Sequence, residues 1–290
     1  MFARAILLSV ALLLFAVQAH AGPRIQTWET SNGAKVMFVE APAIPMLDIR
    51  LVFNAGSARD GSLPGLALMT NMLLNDGAGD LSADQLAEGF ESLGAQFGTS
   101  SLRDMAIVTL RTLSDDEVQR QSLALLQQVL TSPTFAGDEI ERRRLQMQVA
   151  LEKQKESPSA TAKINFFRML YGDHPYAHDP GGNEQSIEAM TREDIVAFFK
   201  RYYVASNTVI ALVGAIDRKR AEEIAEELTR EELGDDLVLD PGRSLHADQI
   251  VDVAVEQEHR RVAAVVDAPQ LAGPAGEPRR EGCALAAFVH

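Results

Sequence analysis

The run Gly65-Leu66-Ala67-Leu68-Met69-Thr70-Asn71-Met72-Leu73-Leu74 reads as a helix. Leu66, Met69, Leu73 and Leu74 recur near the 3.6-residue period of an element buried along one face, and Gly77 and Gly79 close it. Upstream the period is different. Ile25 to Trp28, Val36 to Val39 and Leu47 to Phe53 are short β-branched, aromatic or aliphatic runs, separated by Ser31-Asn32-Gly33 and by Pro42 and Pro45. Three strands are therefore expected before the helix. Downstream, Ser82 followed three residues later by Gln85 is a capping box for a helix reaching about Leu93. Strands near Ala95–Ser100 and Met105–Leu113 come next, and Ser114-Asp115-Asp116-Glu117 opens a helix with acids at its positive end. Helices are expected at 137–156, 159–171 and 191–202, then a strand at Thr208–Gly214 and an amphipathic helix at 217–230. Strands lead, helices accumulate, and one strand returns, which is an α+β pattern rather than the alternation of a doubly wound sheet.

Composition narrows the function classes. Of 290 residues, 46% are hydrophobic, enough for a sizeable core and against disorder. Acids outnumber bases 41 to 27, and the resulting charge of -14 repels phosphate backbones and anionic lipid surfaces, so no nucleic-acid role is expected. A single cysteine, Cys283, excludes an intramolecular disulfide and a thiolate zinc cluster, leaving His and carboxylates as the available metal ligands.

Residues 1–21 have the layout of a secretory signal peptide: Arg4, an apolar run from Ala5 to Val17 broken by Ser9, and an Ala19-His20-Ala21 exit. About 13 apolar residues are too few to span a bilayer core of ~30 Å at ~1.5 Å per residue. Export to the periplasm or the medium is expected, with no membrane attachment after cleavage. Residues 22–234 read as one domain, and residues 235–258 as an acidic linker followed by the first strand of a second domain, Ile250–Val255. The Ala-, Arg-, Pro- and Gly-rich stretch 259–290 reads as a disordered or out-of-frame ending.

The Gly65–Leu74 run resembles the zinc helix of the insulinase-like (pitrilysin, inverzincin) metallopeptidases, in which the order is Gly-Leu-Ala-His-x-x-Glu-His-Met-Leu. The resemblance covers residues 25–245. It includes Phe53-Asn54-Ala55-Gly56-Ser57, the Gly94–Ser100 region, Tyr171-Gly172-Asp173-His174-Pro175-Tyr176, and the approach from Tyr202-Tyr203 through Asn207 to Val213-Gly214. It implies one insulinase-family half, an antiparallel-rich sheet packed with several helices. It also implies a chemistry: two imidazoles on one helical face, a carboxylate between them to take a proton from zinc-bound water, and a third ligand downstream. Leu68 and Met72 stand at the histidine positions, Asn71 at the base, and Gln148, seven beyond Glu141, where the third ligand belongs. None of the four can perform its role. The catalytic and metal sets are therefore read as empty, and Leu68 and Met72 as an i, i+4 core stripe.

Three further features bear on function. His174 and His178 lie four apart, a ligand spacing on a helix, but Gly172, Pro175, Pro180 and Gly181 point to a loop. Arg142-Arg143-Arg144 reads as a solvated helix face. Phe97, Gly98, Thr99 and Ser100 resemble the family's edge strand, onto which a peptide adds through backbone bonds that need no particular side chains. The resemblance thus implies an exported pseudoenzyme, the chamber-forming or substrate-binding subunit of a heteromeric zinc metallopeptidase. The partners expected are a peptide substrate and a zinc-bearing homologous subunit, with zinc only in that partner. Two alternatives remain open at this point: a zinc-dependent endopeptidase with another ligand set, and a peptide-binding scaffold without a protease partner.

Overall fold

A computed structural model describes residues 24–229. The expected signal peptide at 1–21, the expected linker and second-domain start at 235–258, and the 259–290 ending lie outside the described residues.

The element order is β1 (Gln26–Glu29), β2 (Lys35–Glu40), β3 (Met46–Phe53), α1 (Leu66–Leu73), β4 (Gly77–Ala78), β5 (Leu81–Ser82), α2 (Ala83–Ser92), β6 (Gln96–Ser101), β7 (Ala106–Leu113), α3 (Asp116–Thr131), α4 (Gly137–Lys155), α5 (Pro158–Tyr171), α6 (Glu184–Ala189), α7 (Arg192–Tyr202), β8 (Thr208–Gly214) and α8 (Arg218–Leu228). Six strands form one mixed sheet in the order β1-β2-β8-β3-β7-β6, parallel only between β2 and β8. This is the expected α+β architecture. The last strand inserts beside β2 and β3 because Thr208–Gly214 is apolar nearly throughout, as a strand enclosed by neighbours must be.

Alternation along the strands sets the two faces of the sheet. Leu47, Ile49, Leu51 and Phe53 of β3 and Ala106, Val108, Leu110 and Thr112 of β7 are buried, and each pairs across the ladder with its counterpart. That face receives the helices. Thr112 donates to Ser122 of α3 at 3.0 Å, Phe97 stacks on Phe90 of α2 at 4.8 Å, and Thr99 accepts from Asn75 just past α1 at 2.7 Å. Asp48 and Arg111 occupy the opposite face, joined by an ion pair at 2.5 Å. Each fully buried Leu or Phe on the helix-covered face stabilises the fold by roughly 1.5–3 kcal/mol.

Three elements escape the sequence reading. The two-residue strands β4 and β5 are too short for any period, and the six-residue α6 is held by its cap, Asn183 and Ser186 bonding reciprocally. The arginine run is a correction. Arg142 and Arg143 both reach the buried carboxylate of Asp76, at 2.7 and 2.6 Å, while Arg144 donates to the carbonyls of Ile187 and Met190. The run is a clamp between α4, the end of α1 and α6, because a buried carboxylate requires cationic donors. Among the described residues no helix is long and apolar enough to cross a membrane.

Candidate functional site: a helix without ligands and an open sheet edge

Helix α1 is fixed at its start by backbone geometry and one carboxylate. Gly65 takes φ 95° at the N-cap, and a Cβ there would lie 3.1 Å from Gly182 Cα, so the loop can close on the helix only over glycine. Asp60, 3% exposed, accepts from the amides of Gly65 at 2.8 Å and Ala67 at 2.7 Å, which have no partner within the helix. The Nε2 of His178 lies 3.0 Å from the same carboxylate. Burial pushes the Asp60 carboxyl up, and the His178 bond and the two amides offset this only in part. The sequence reading missed Asp60. An acid five residues ahead of a glycine N-cap was the signal available.

The helix is buried on most of its circumference, through Leu66, Ala67, Met69, Thr70, Asn71 and Leu73. Leu68 and Met72 are half-buried and pack on the core from the one more open face, together with Asn75 at the next turn. They are therefore less central than a core stripe would be. Asn71 is 1% exposed, and its Nδ2 donates to the Tyr203 hydroxyl at 3.2 Å. Tyr203 is itself enclosed between Phe53 and Phe199, and burial raises its hydroxyl above the ordinary range. Replacing Tyr203 with Phe strands that buried amide. We expect an unfolding free energy lower by about 1–2 kcal/mol in a urea titration, and an unchanged value would dismiss the bond as a structural element.

The four positions do not make a metal set. Gln148 turns away to Glu188, whose carboxylate it meets at 3.2 Å. His174 and His178 flank a single 3-10 turn, Pro175–Ala177. His174 accepts from the Tyr176 amide through Nδ1, while His178 faces Asp60. The loop reading of these two residues therefore holds, and they do not share a face. Among the described residues, no group of three or more His, Cys, Asp or Glu could hold a metal ion. An aliphatic side chain, a thioether and two amides do not fit zinc and its base.

At one end of the sheet, β6 pairs only with β7 among the described residues, so its outer backbone edge is open. Phe97, Gly98 and Thr99 are half-buried and Ser100 is exposed. Asn75 ties this strand to the open end of α1, since its Nδ2 also lies 3.1 Å from the Met72 carbonyl. The β6–β7 hairpin ends in Leu102 and Arg103, which border a cavity of about 430 Å³. A second cavity, of about 700 Å³, adjoins it along Gln154 and the His178–Asp179 segment.

Comparison with known proteins agrees with this architecture. Residues 35–179 match the family described as Insulinase (Peptidase family M16), and residues 189–271 match Peptidase M16 inactive domain. A crystal structure of a peptidase M16 inactive domain from Pseudomonas fluorescens is 43% identical with a TM-score of 0.73, over 74% of this chain and 52% of that one. The first half of the periplasmic protease PqqL from Escherichia coli is 17% identical with a TM-score of 0.67, over 78% and 51% of the two chains, a likeness of fold alone. Among curated relatives, the non-peptidase homolog YmxG of Helicobacter pylori is 27% identical over 65% of this chain and 44% of its own length. A probable mitochondrial-processing peptidase subunit beta of Schizosaccharomyces pombe is 24% identical over 70% and 44%. The chain spans about half the length of the curated relatives it matches.

Proposed function

Because this chain belongs to the insulinase (M16) peptidase family, we propose that it is an exported, non-catalytic member that holds peptide for a zinc-bearing homologous subunit. One observation carries the reading: the helix that bears zinc ligands in the resembled peptidases has here Leu68 and Met72 on its open face and Asn71 closed into a pair with Tyr203. What survives the loss of the ligands is the open edge of β6, where Phe97, Gly98, Thr99 and Ser100 present backbone groups that an extended peptide can pair with. Relatives named as a non-peptidase homolog and as a processing-peptidase subunit support a non-catalytic member working with a homologue. Export rests on the layout of residues 1–21.

Elemental analysis of the purified protein tests the first half of this reading. Well under one zinc per chain is expected, whatever the growth medium. One tightly held zinc per chain would overturn the reading, and its loss on replacing His174 and His178 with Ala would assign the metal to a ligand set of its own.

A further inference from the structure

We infer that the open edge of β6 leads into an anion-recognising cavity, so that the peptide held there is one carrying a carboxylate at that end. This rests on the reading of β6 as a strand that accepts a peptide. Ser101, the last residue of β6, lines the cavity of about 430 Å³ together with Leu102 and Arg103 of the hairpin and Lys163 and Phe167 of α5. A strand advances ~3.3 Å per residue, so a peptide paired along β6 brings its next residue into that space.

The charges in this region run against those of the whole chain. Arg103 is held by neutral groups only: Nη1 donates to the carbonyls of Tyr176 at 2.7 Å and His178 at 3.0 Å, and the guanidinium lies 4.0 Å over the Phe167 ring. Lys163 is exposed, and like Arg103 it has no carboxylate partner among the described residues. In the adjoining cavity Arg168 likewise has none, while Lys155 pairs with Glu184. The nearby acids are engaged. Asp179 accepts from Gln154 at 2.8 Å and from the Gly181 amide at 2.9 Å, Asp104 accepts from the Tyr176 hydroxyl, and Asp60 stands behind His178. Three cations without carboxylate partners among the described residues, around linked cavities in a chain of charge -14, favour a carboxylate over a neutral or cationic group. An arginine already oriented by an aromatic ring and two carbonyls loses little further freedom on forming that pair.

Two sources supply the carboxylate, and they imply opposite strand directions. A peptide parallel to β6 brings its C-terminal carboxylate to Ser101, whereas an antiparallel one brings an acidic side chain from its N-terminal part. The test is fluorescence anisotropy on the full chain with one β-prone peptide in three forms: amidated and neutral, amidated with an N-terminal Glu, and neutral with a free C-terminus. One carboxylate form is expected to bind roughly five- to tenfold more tightly than the neutral form at low salt, with the advantage shrinking as salt rises. Lys163→Glu, at an exposed position, should erase the advantage. N-methylation of alternate peptide amides should abolish binding of every form. Equal binding of all three forms overturns the carboxylate preference and leaves the β6 reading standing. Failure of every form to bind overturns both.

Discussion

Replacing Asp60 with Ala is expected to lower the unfolding free energy by about 3–5 kcal/mol, the largest single-site loss foreseen outside the apolar core. One carboxylate satisfies the amides of Gly65 and Ala67 and meets His178, so its removal leaves two buried donors and a half-buried ring without their partner. Urea unfolding at neutral pH reads the loss directly, and a change below about 1 kcal/mol would show that solvent replaces the carboxylate. The pH dependence carries a sign of its own. Burial raises the Asp60 carboxyl above its value of 3.8 in the unfolded chain, so between the two values the folded protein holds the extra proton. Stability therefore falls as pH rises through that window, opposite to the usual salt-bridged carboxylate. Asp60→Asn removes the titrating group, and its stability should lack this fall.

A second large effect is expected in activity. This chain alone should hydrolyse peptide no faster than buffer, because Leu68, Met72 and Gln148 cannot ligate zinc as imidazoles and a carboxylate do, and Asn71 cannot serve as the base. Together with a zinc-bearing homologous subunit, the rate should rise at least about 10⁶-fold over the uncatalysed reaction, the lower end of what enzymes achieve. Assays of each subunit alone, of the mixture, and of the mixture with chelator separate the contributions. Met72→Leu, a volume-conserving change on the open face of α1, should leave the mixture's rate unchanged. Hydrolysis by this chain alone, abolished by chelator, would contradict the assignment.

The fold was legible in the sequence wherever a period ran long enough. Thr208–Gly214 was placed to the residue, and the Ser82–Gln85 capping box marked the start of α2 because both of its bonds are local. The helical setting of Leu68, Asn71 and Met72 was legible too, since all three fall within one helix at 66–73 as their spacing implied. What escaped depends on distant contacts. Asp60, Asn75, Arg103 and Tyr203 acquire their roles from partners 118, 24, 75 and 132 residues away. No local pattern announces such a pairing. The run Arg142-Arg143-Arg144 misled for the same reason: three consecutive cations look solvated until a buried Asp76, 66 residues earlier, is brought beneath two of them.

The Asn71–Tyr203 pair bears on how this lineage can change. Leu68 and Met72 are half-buried, so imidazoles could be accommodated there with modest repacking. Asn71 is different. A glutamate at that position would place a charge beside a hydroxyl that is itself kept neutral by burial among Phe53 and Phe199, in a site with almost no access to water. Installing a zinc set by single steps then has to pass through a destabilised intermediate before any zinc is present to compensate. The base position thus acts as a mutational barrier: with Asn71 sealed against Tyr203, selection can reshape the open face of the helix far more readily than it can place a carboxylate there.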